Sequence, residues 1–329
     1  IIISCGEKKA PKQNVMEKQM AAQKASTELE AQIGERVRST FQPLATSADN
    51  PDNVLTDAKV KLGKMLYYDN RLSKDQTQSC NTCHDLNTFG VDNKPTSPGD
   101  DGGFGKENSP TVLNAALHTT QFWDGRAKDV EEQAGMPILN PVEMNIPSEQ
   151  FLVDRLSKVD MYKTLFKEAF PEEAKPLSYM NIQKAIAAFE RTLLTPSKFD
   201  EYLKGNANAL SVDEKKGLKT FMEVGCTTCH MGSLLGGNIF QKFGVYGDYW
   251  ELTGSKHISD GRAAISGNDA EKYMFKVPSL RNVAETYPYF HDGSVASLEE
   301  ATKIIAKLNL NLDLTEEQIK DLMIFMKAL

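Results

Sequence analysis

The chain has 329 residues, 40% hydrophobic and 25% charged, with a formal net charge of -7. Its mean hydropathy is -0.43 and its pI about 5.4. This excludes collagen-like and wholly disordered classes, and the acidity argues against nucleic acid as the main partner. No run approaches the ~20 apolar residues of a membrane-spanning helix. The length suggests two domains of ordinary size.

The chain begins Ile1-Ile2-Ile3-Ser4-Cys5-Gly6. An apolar run ending in a small residue and Cys resembles a bacterial lipoprotein processing site, with Cys5 as the lipidated residue. That predicts export and a membrane tether without a span. Residues 7–40 are rich in Lys, Gln, Glu and Ala, which suits a tether passing into a helix with a solvated face. Phe151, Leu152, Leu156, Leu165 and Phe166 predict two helices over 148–170. Ile182, Ala185, Ile186, Phe189 and Leu193 predict another over 180–194. Ser211 with Glu214, and Thr315 with Gln318, have the spacing of capping boxes, opening a helix that runs into Cys226 and a last helix near the C-terminus. Strand-like alternation is scarce. Long Gly/Pro/Asp-rich stretches at 90–110 and 231–270 are functional loops or wrap around something. The predicted architecture is mainly α, with an N-terminal tether or helix over 1–40 and two cytochrome c-like domains over 41–200 and 201–329, separated after Thr195-Pro196-Ser197.

Four of the five cysteines form two matching frames, Cys80-Asn81-Thr82-Cys83-His84 and Cys226-Thr227-Thr228-Cys229-His230, one per half. Cys-x-x-Cys-His is the attachment signature of haem c. Two thiols one helical turn apart reach the porphyrin vinyl groups, and the adjacent His presents its imidazole to the iron. A zinc ribbon spaces its Cys pairs ~15–20 residues apart. A thioredoxin-like site needs one pair beside a strand–helix unit, and a disulfide framework has no use for the His. The frames therefore predict two haems c, attached outside the bacterial cytoplasm.

Further stretches carry a family resemblance. They are Leu62-Gly63-Lys64, Ser109-Pro110-Thr111, Gln121-Phe122-Trp123-Asp124-Gly125-Arg126, Pro141-Val142-Glu143-Met144, Phe189-Glu190-Arg191, Pro278-Ser279-Leu280-Arg281-Asn282 and Pro288-Tyr289-Phe290-His291-Asp292-Gly293. From about Leu62 to the C-terminus the chain resembles the bacterial di-haem cytochrome c peroxidases, including their quinone-maturing branch. The resemblance implies that the haem on Cys80, Cys83 and His84 reacts with peroxide. It implies Glu143 as distal acid/base, with Gln133 and Pro137 in the same pocket. Trp123 would relay electrons between the haems. Asn108, Thr286 and Pro288 would bind calcium, a cation suited to oxygen ligands. Arg281 would pair with a haem propionate. The implied partners are hydrogen peroxide and a small cytochrome c or cupredoxin donor, in a periplasmic, lipid-anchored protein that could form a homodimer.

Two positions depart from the family pattern. Asp100 stands where many members have a His that caps the first haem until the second is reduced; His118 is farther along. Ile305 stands where the second haem usually receives a Met ligand, or a Tyr in the quinone-maturing branch. Asp100 predicts a first haem open without reductive activation. Ile305 predicts a vacant axial position or a substitute, for which Met274 and, more weakly, His257 are the candidates. Loss of a Met ligand lowers a haem potential. Peroxide reduction is the favoured activity. Peroxide-driven oxidation of protein side chains, plain electron transfer and redox sensing remain open alternatives.

Overall fold

The structure is a computed structural model that describes residues 11–329. Cys5, and with it the lipid-anchor motif, lies outside the described residues. The first half contains helices α1 (Pro11–Thr40), α2 (Asp57–Tyr67), α3 (Cys80–Cys83), α4 (Val130–Leu139), α5 (Glu149–Ser157), α6 (Asp160–Ala169) and α7 (Tyr179–Glu190). The second contains α8 (Lys198–Leu203), α9 (Val212–Glu223), α10 (Tyr249–Thr253), α11 (Ala263–Ser266), α12 (Leu298–Leu310) and α13 (Glu316–Met326). The expected pair of helices over 148–170 is α5 and α6, and the helix expected over 180–194 is α7, which stops at Glu190. Both predicted capping boxes form, at Ser211–Glu214 and Thr315–Gln318. α9 ends before Cys226, and Gly225 turns the chain with a positive φ of 96°.

The first core gathers Leu62 and Leu66 of α2, Ile138 of α4, Leu152 and Leu156 of α5, Phe166 of α6, and Ile182 and Ile186 of α7. Each fully buried side chain of this size contributes ~1.5–3 kcal/mol. α2 and α7 touch backbone to backbone, because a Cβ at Gly63 would lie 1.8 Å from the Ala185 carbonyl oxygen. A second core joins Phe199, Leu218, Phe221, Leu322 and Phe325 to Ile33, Val37 and Phe41. The C-terminal part of α1, on the segment expected as a tether, thus packs on the second half. Lys215 anchors it there, with a fully buried ammonium donating to Ser26 Oγ at 2.8 Å and lying 3.7 Å from the Glu30 carboxylate.

A third cluster, built on Phe243, Tyr249, Phe275, Ile304 and Leu308, closes the second unit. Beside it lies the two-stranded antiparallel sheet of β1 (Phe240–Lys242) and β2 (Met274–Lys276), with Phe240 opposite Lys276. Among the described residues no helix is long and apolar enough to cross a membrane.

Candidate active site

The two Cys-x-x-Cys-His frames fold alike. In each, the His amide donates to the carbonyl of the first Cys at 3.0 Å, so a tight turn carries both thiols and brings the imidazole in behind them. Each frame lines its own cavity. Cys80, Cys83 and His84 face the smaller one. Cys226, Cys229 and His230 face the larger, which is mostly apolar.

The residues present fit haem c. All four cysteines are free of disulfides. Burial pushes the Cys80 thiol up, and Cys226 up to about 12, away from the low-pKa thiolate of a redox-exchange site. His230 Nδ1 lies 2.8 Å from the Leu235 carbonyl oxygen, the contact that fixes tautomer and ring orientation in an imidazole ligand. Burial lowers the pKa of both His84 and His230, which favours the neutral, ligating form. The Nδ1 of His84 is buried without a partner.

The distal wall of the smaller cavity is built by α4 and the turn after it. Gln133 and Pro137 lie one helical turn apart and both line the cavity. α4 ends at Leu139, where the Asn140 amide caps it by donating to the Pro137 carbonyl at 3.2 Å. The chain then turns through Pro141, closed by the Glu143 amide on the Asn140 carbonyl at 3.0 Å, and Glu143 enters the cavity wall. Asn140 Nδ2 donates to Glu143 Oε1 at 2.7 Å. Burial raises the Glu143 pKa, against the Asn140 bond and the nearby Arg126 charge. A carboxylate so placed can both accept and release a proton.

Residues 107–110 form the partition between the cavities. Glu107 and Ser109 line the smaller one, and Asn108 and Pro110 the larger. Trp123 lines the larger cavity and donates its Nε1 to the Asn108 carbonyl at 2.9 Å, which places the indole against this partition. Asn108, Thr286 and Pro288 all line the larger cavity. The Asn108 Nδ2 donates to the carbonyls of Lys94 and Pro95.

Three expectations need correction. The Arg281 guanidinium is taken up by Asp200, at 2.8 and 2.7 Å, and by the Ser233 carbonyl at 2.7 Å. Its side chain is 1% exposed, so it holds the interior of the second unit, and a propionate has at most its remaining N–H groups. Met274 and His257, the substitutes considered for an axial Met, do not line the larger cavity, whereas Ile305 does. Met274 pairs with Lys242 in the sheet, and His257 is exposed. Besides His230, the imidazoles that reach this cavity are the half-buried His118 and the buried His291. His118 Nε2 and both ring nitrogens of His291 are without partners.

Sequence reasoning missed several groups. Burial and the charge of Asp124 push Glu107 up to about 7. Burial and Glu131 push Glu190, on the wall beside Cys80, up to about 8. Lys276, lowered to about 8 by burial, lies with its Nζ 3.0 Å from His118 Nδ1. Glu190 sits inside a stretch that carried the resemblance, but nothing local marked it as buried against a cavity.

Two covalent attachment frames, each at its own cavity in a mainly helical chain, define a di-haem protein of the c type. The family model for di-haem cytochrome c peroxidase matches residues 57–208. The cytochrome c551 peroxidase of Nitrosomonas europaea is 42% identical over 88% of this chain and 83% of its own. That of Pseudomonas aeruginosa is 43% identical over 84% and 79%. The methylamine utilization protein MauG of Methylorubrum extorquens is 35% identical over 84% and 79%. Among solved structures, a MauG-like protein associated with microbial copper homeostasis superposes with a TM-score of 0.75 at 29% identity, over 87% of this chain and 92% of its own. The chain belongs to the di-haem cytochrome c peroxidase family and is an oxidoreductase.

Proposed function

We propose that the protein reduces hydrogen peroxide to water at the smaller cavity, with electrons from a small periplasmic cytochrome c or cupredoxin, and without prior reduction of the second haem. Two electrons and two protons convert one peroxide into two waters. The haem supplies an iron site that binds peroxide and stores oxidising equivalents. The chain supplies the proton chemistry. Glu143 takes the proton from the peroxide oxygen nearer the iron and returns it to the oxygen that leaves as water. Gln133 offers a neutral donor and acceptor on the same wall, and Pro137 keeps that wall closely packed. Electrons enter at the larger cavity and pass the partition beside Trp123. Calcium held by Asn108, Thr286 and Pro288 would stiffen the junction between the halves.

The observation that carries this reading is Glu143 itself, a carboxylate raised by burial on the wall of the cavity that holds Cys80, Cys83 and His84. A plain electron carrier has no use for it. The decisive experiment is turnover of peroxide with a reduced cytochrome c by the as-isolated ferric enzyme. Glu143→Gln should lower kcat/KM roughly 100- to 10000-fold, the range for loss of a general acid–base group. A Gln variant as fast as the parent would sink the assignment. Oxidation of another protein's side chains is the second reading, favoured by the similarity to MauG, while Ile305 in place of the branch's Tyr counts against it. It predicts slow turnover with any cytochrome donor.

A further inference from the structure

We propose that Asp100 is the latch that positions Glu143, its carboxylate clamping the 98–104 loop to residues 75–77 while its amide carries the Glu143 backbone. The inference rests on the reading of Glu143 as the proton shuttle and adds a positioning residue to it. Asp100 is 7% exposed. Its Oδ2 accepts from the Asp75 amide at 2.6 Å. Its Oδ1 accepts from Thr77 Oγ1 at 2.6 Å and from the Thr77 amide at 3.3 Å. On the other side, the Asp100 amide donates to the Glu143 carbonyl at 2.7 Å.

The neighbouring backbone is knitted in the same sense. The Lys74 amide donates to the Met144 carbonyl at 2.9 Å, and the Gly99 amide to the Gly103 carbonyl at 2.7 Å. A Cβ at Gly99 would lie 2.3 Å from the Val142 carbonyl oxygen, so the loop lies against the strip that bears Glu143. Two segments, 73–77 and 98–104, thus meet at the Asp100 carboxylate, and 142–144 is joined to them through the Asp100 amide. Pro98, Val142 and Glu143 all line the smaller cavity, so the latch fixes its wall.

Only an ionised carboxylate meets three converging donors with acceptors alone. Burial opposes the charge at Asp100, and the bonds from Thr77 and Asp75 overcome it, holding the pKa below its ordinary value. An Asn would turn one acceptor into a donor aimed at a donor. Asp100 therefore commits the loop to one position in the resting protein.

The test uses the ferric holoprotein and the variants Asp100→Asn, Thr77→Val and Thr77→Ser. Thr77→Val keeps the shape but removes one donor, and it stands in if Asp100→Asn does not fold. Amide hydrogen exchange is read at residues 75–77 and 100, cyanide binding at the first haem by absorption, and kcat/KM for peroxide against pH. Asp100→Asn and Thr77→Val should speed exchange at these amides roughly 10- to 100-fold, the effect of losing a hydrogen bond to a charged group. They should also change the cyanide association rate and move the acid limb of the kcat/KM profile, while Thr77→Ser restores all three. Unchanged exchange and an unmoved limb in both Asp100→Asn and Thr77→Val would overturn the proposal. If the parent protein shows no peroxide turnover from the ferric state, the activity reading fails by itself. Exchange and cyanide binding still decide the latch.

Discussion

The bond from Asn140 to Glu143 gives a direct handle on the proton chemistry. Burial pushes the Glu143 carboxyl up, and the donor at 2.7 Å is a principal force holding it down. A hydrogen bond to a charged group contributes ~1.5–3 kcal/mol, and one pKa unit corresponds to ~1.36 kcal/mol. Asn140→Ala should therefore raise the Glu143 pKa by roughly 1–2 units. A base that must be ionised to take the peroxide proton is lost as pH falls through its pKa. The acid limb of kcat/KM should thus shift upward by that amount, with the high-pH plateau retained. Asn140→Asp removes the same donor and adds a like charge, and should shift the limb further. Initial rates of peroxide consumption by the ferric enzyme, taken from acid to alkaline pH, measure both. A limb that stays in place in both variants would refute the idea that Glu143 is the titrating base and that Asn140 tunes it.

Other perturbations probe the scaffold and the second site. Gly63→Ala should destabilise the first unit by about 1–3 kcal/mol, because the new methyl would lie 1.8 Å from the Ala185 carbonyl oxygen; denaturant unfolding reads it, and an unshifted midpoint would contradict the close crossing. Asp200→Ala leaves the buried Arg281 charge without its partner and should cost about 3–5 kcal/mol in the same assay. Burial alone would raise the Asp200 carboxyl, but the Arg281 bonds hold it below its ordinary 3.8. The pair's stabilisation is accordingly complete above that value and fades as pH falls through the lower folded pKa, so the parent should lose more stability in acid than Asp200→Ala does. Ile305→Met restores a thioether on the cavity wall and should raise the potential of the second haem and increase its low-spin fraction; redox titration followed by absorption would show no change if Ile305 does not face the iron.

Much of this was legible in the sequence because the signals are local. The Cys-x-x-Cys-His frames carry their own turn geometry. The capping boxes at Ser211 and Thr315 need only residues three apart, and the apolar spacing of α7 needs only its own period. What escaped depends on residues far apart in the chain. Asp200 meets Arg281 across 81 residues, and Asp100 meets Thr77 across 23. α1 reads as a tether passing into a helix with a solvated face because most of its length is polar, yet Ile33, Val37 and Phe41 at its end pack against the second core. Ile305 lines the larger cavity and Met274 and His257 do not, because proximity in sequence says nothing about which wall a side chain joins. His118 and His291 reach that cavity through the turns after Asn114 and Pro288, and only the tertiary fold puts both on its wall.

In the proposed reaction the first haem meets peroxide without prior reduction of the second, beside a carboxylate that handles the proton. Low-temperature EPR of the as-isolated ferric protein, before and immediately after one equivalent of peroxide, tests it most directly. The parent should show a high-spin ferric signal that peroxide removes at once, and Glu143→Gln one that peroxide removes far more slowly. Two low-spin signals indifferent to peroxide would contradict that reaction.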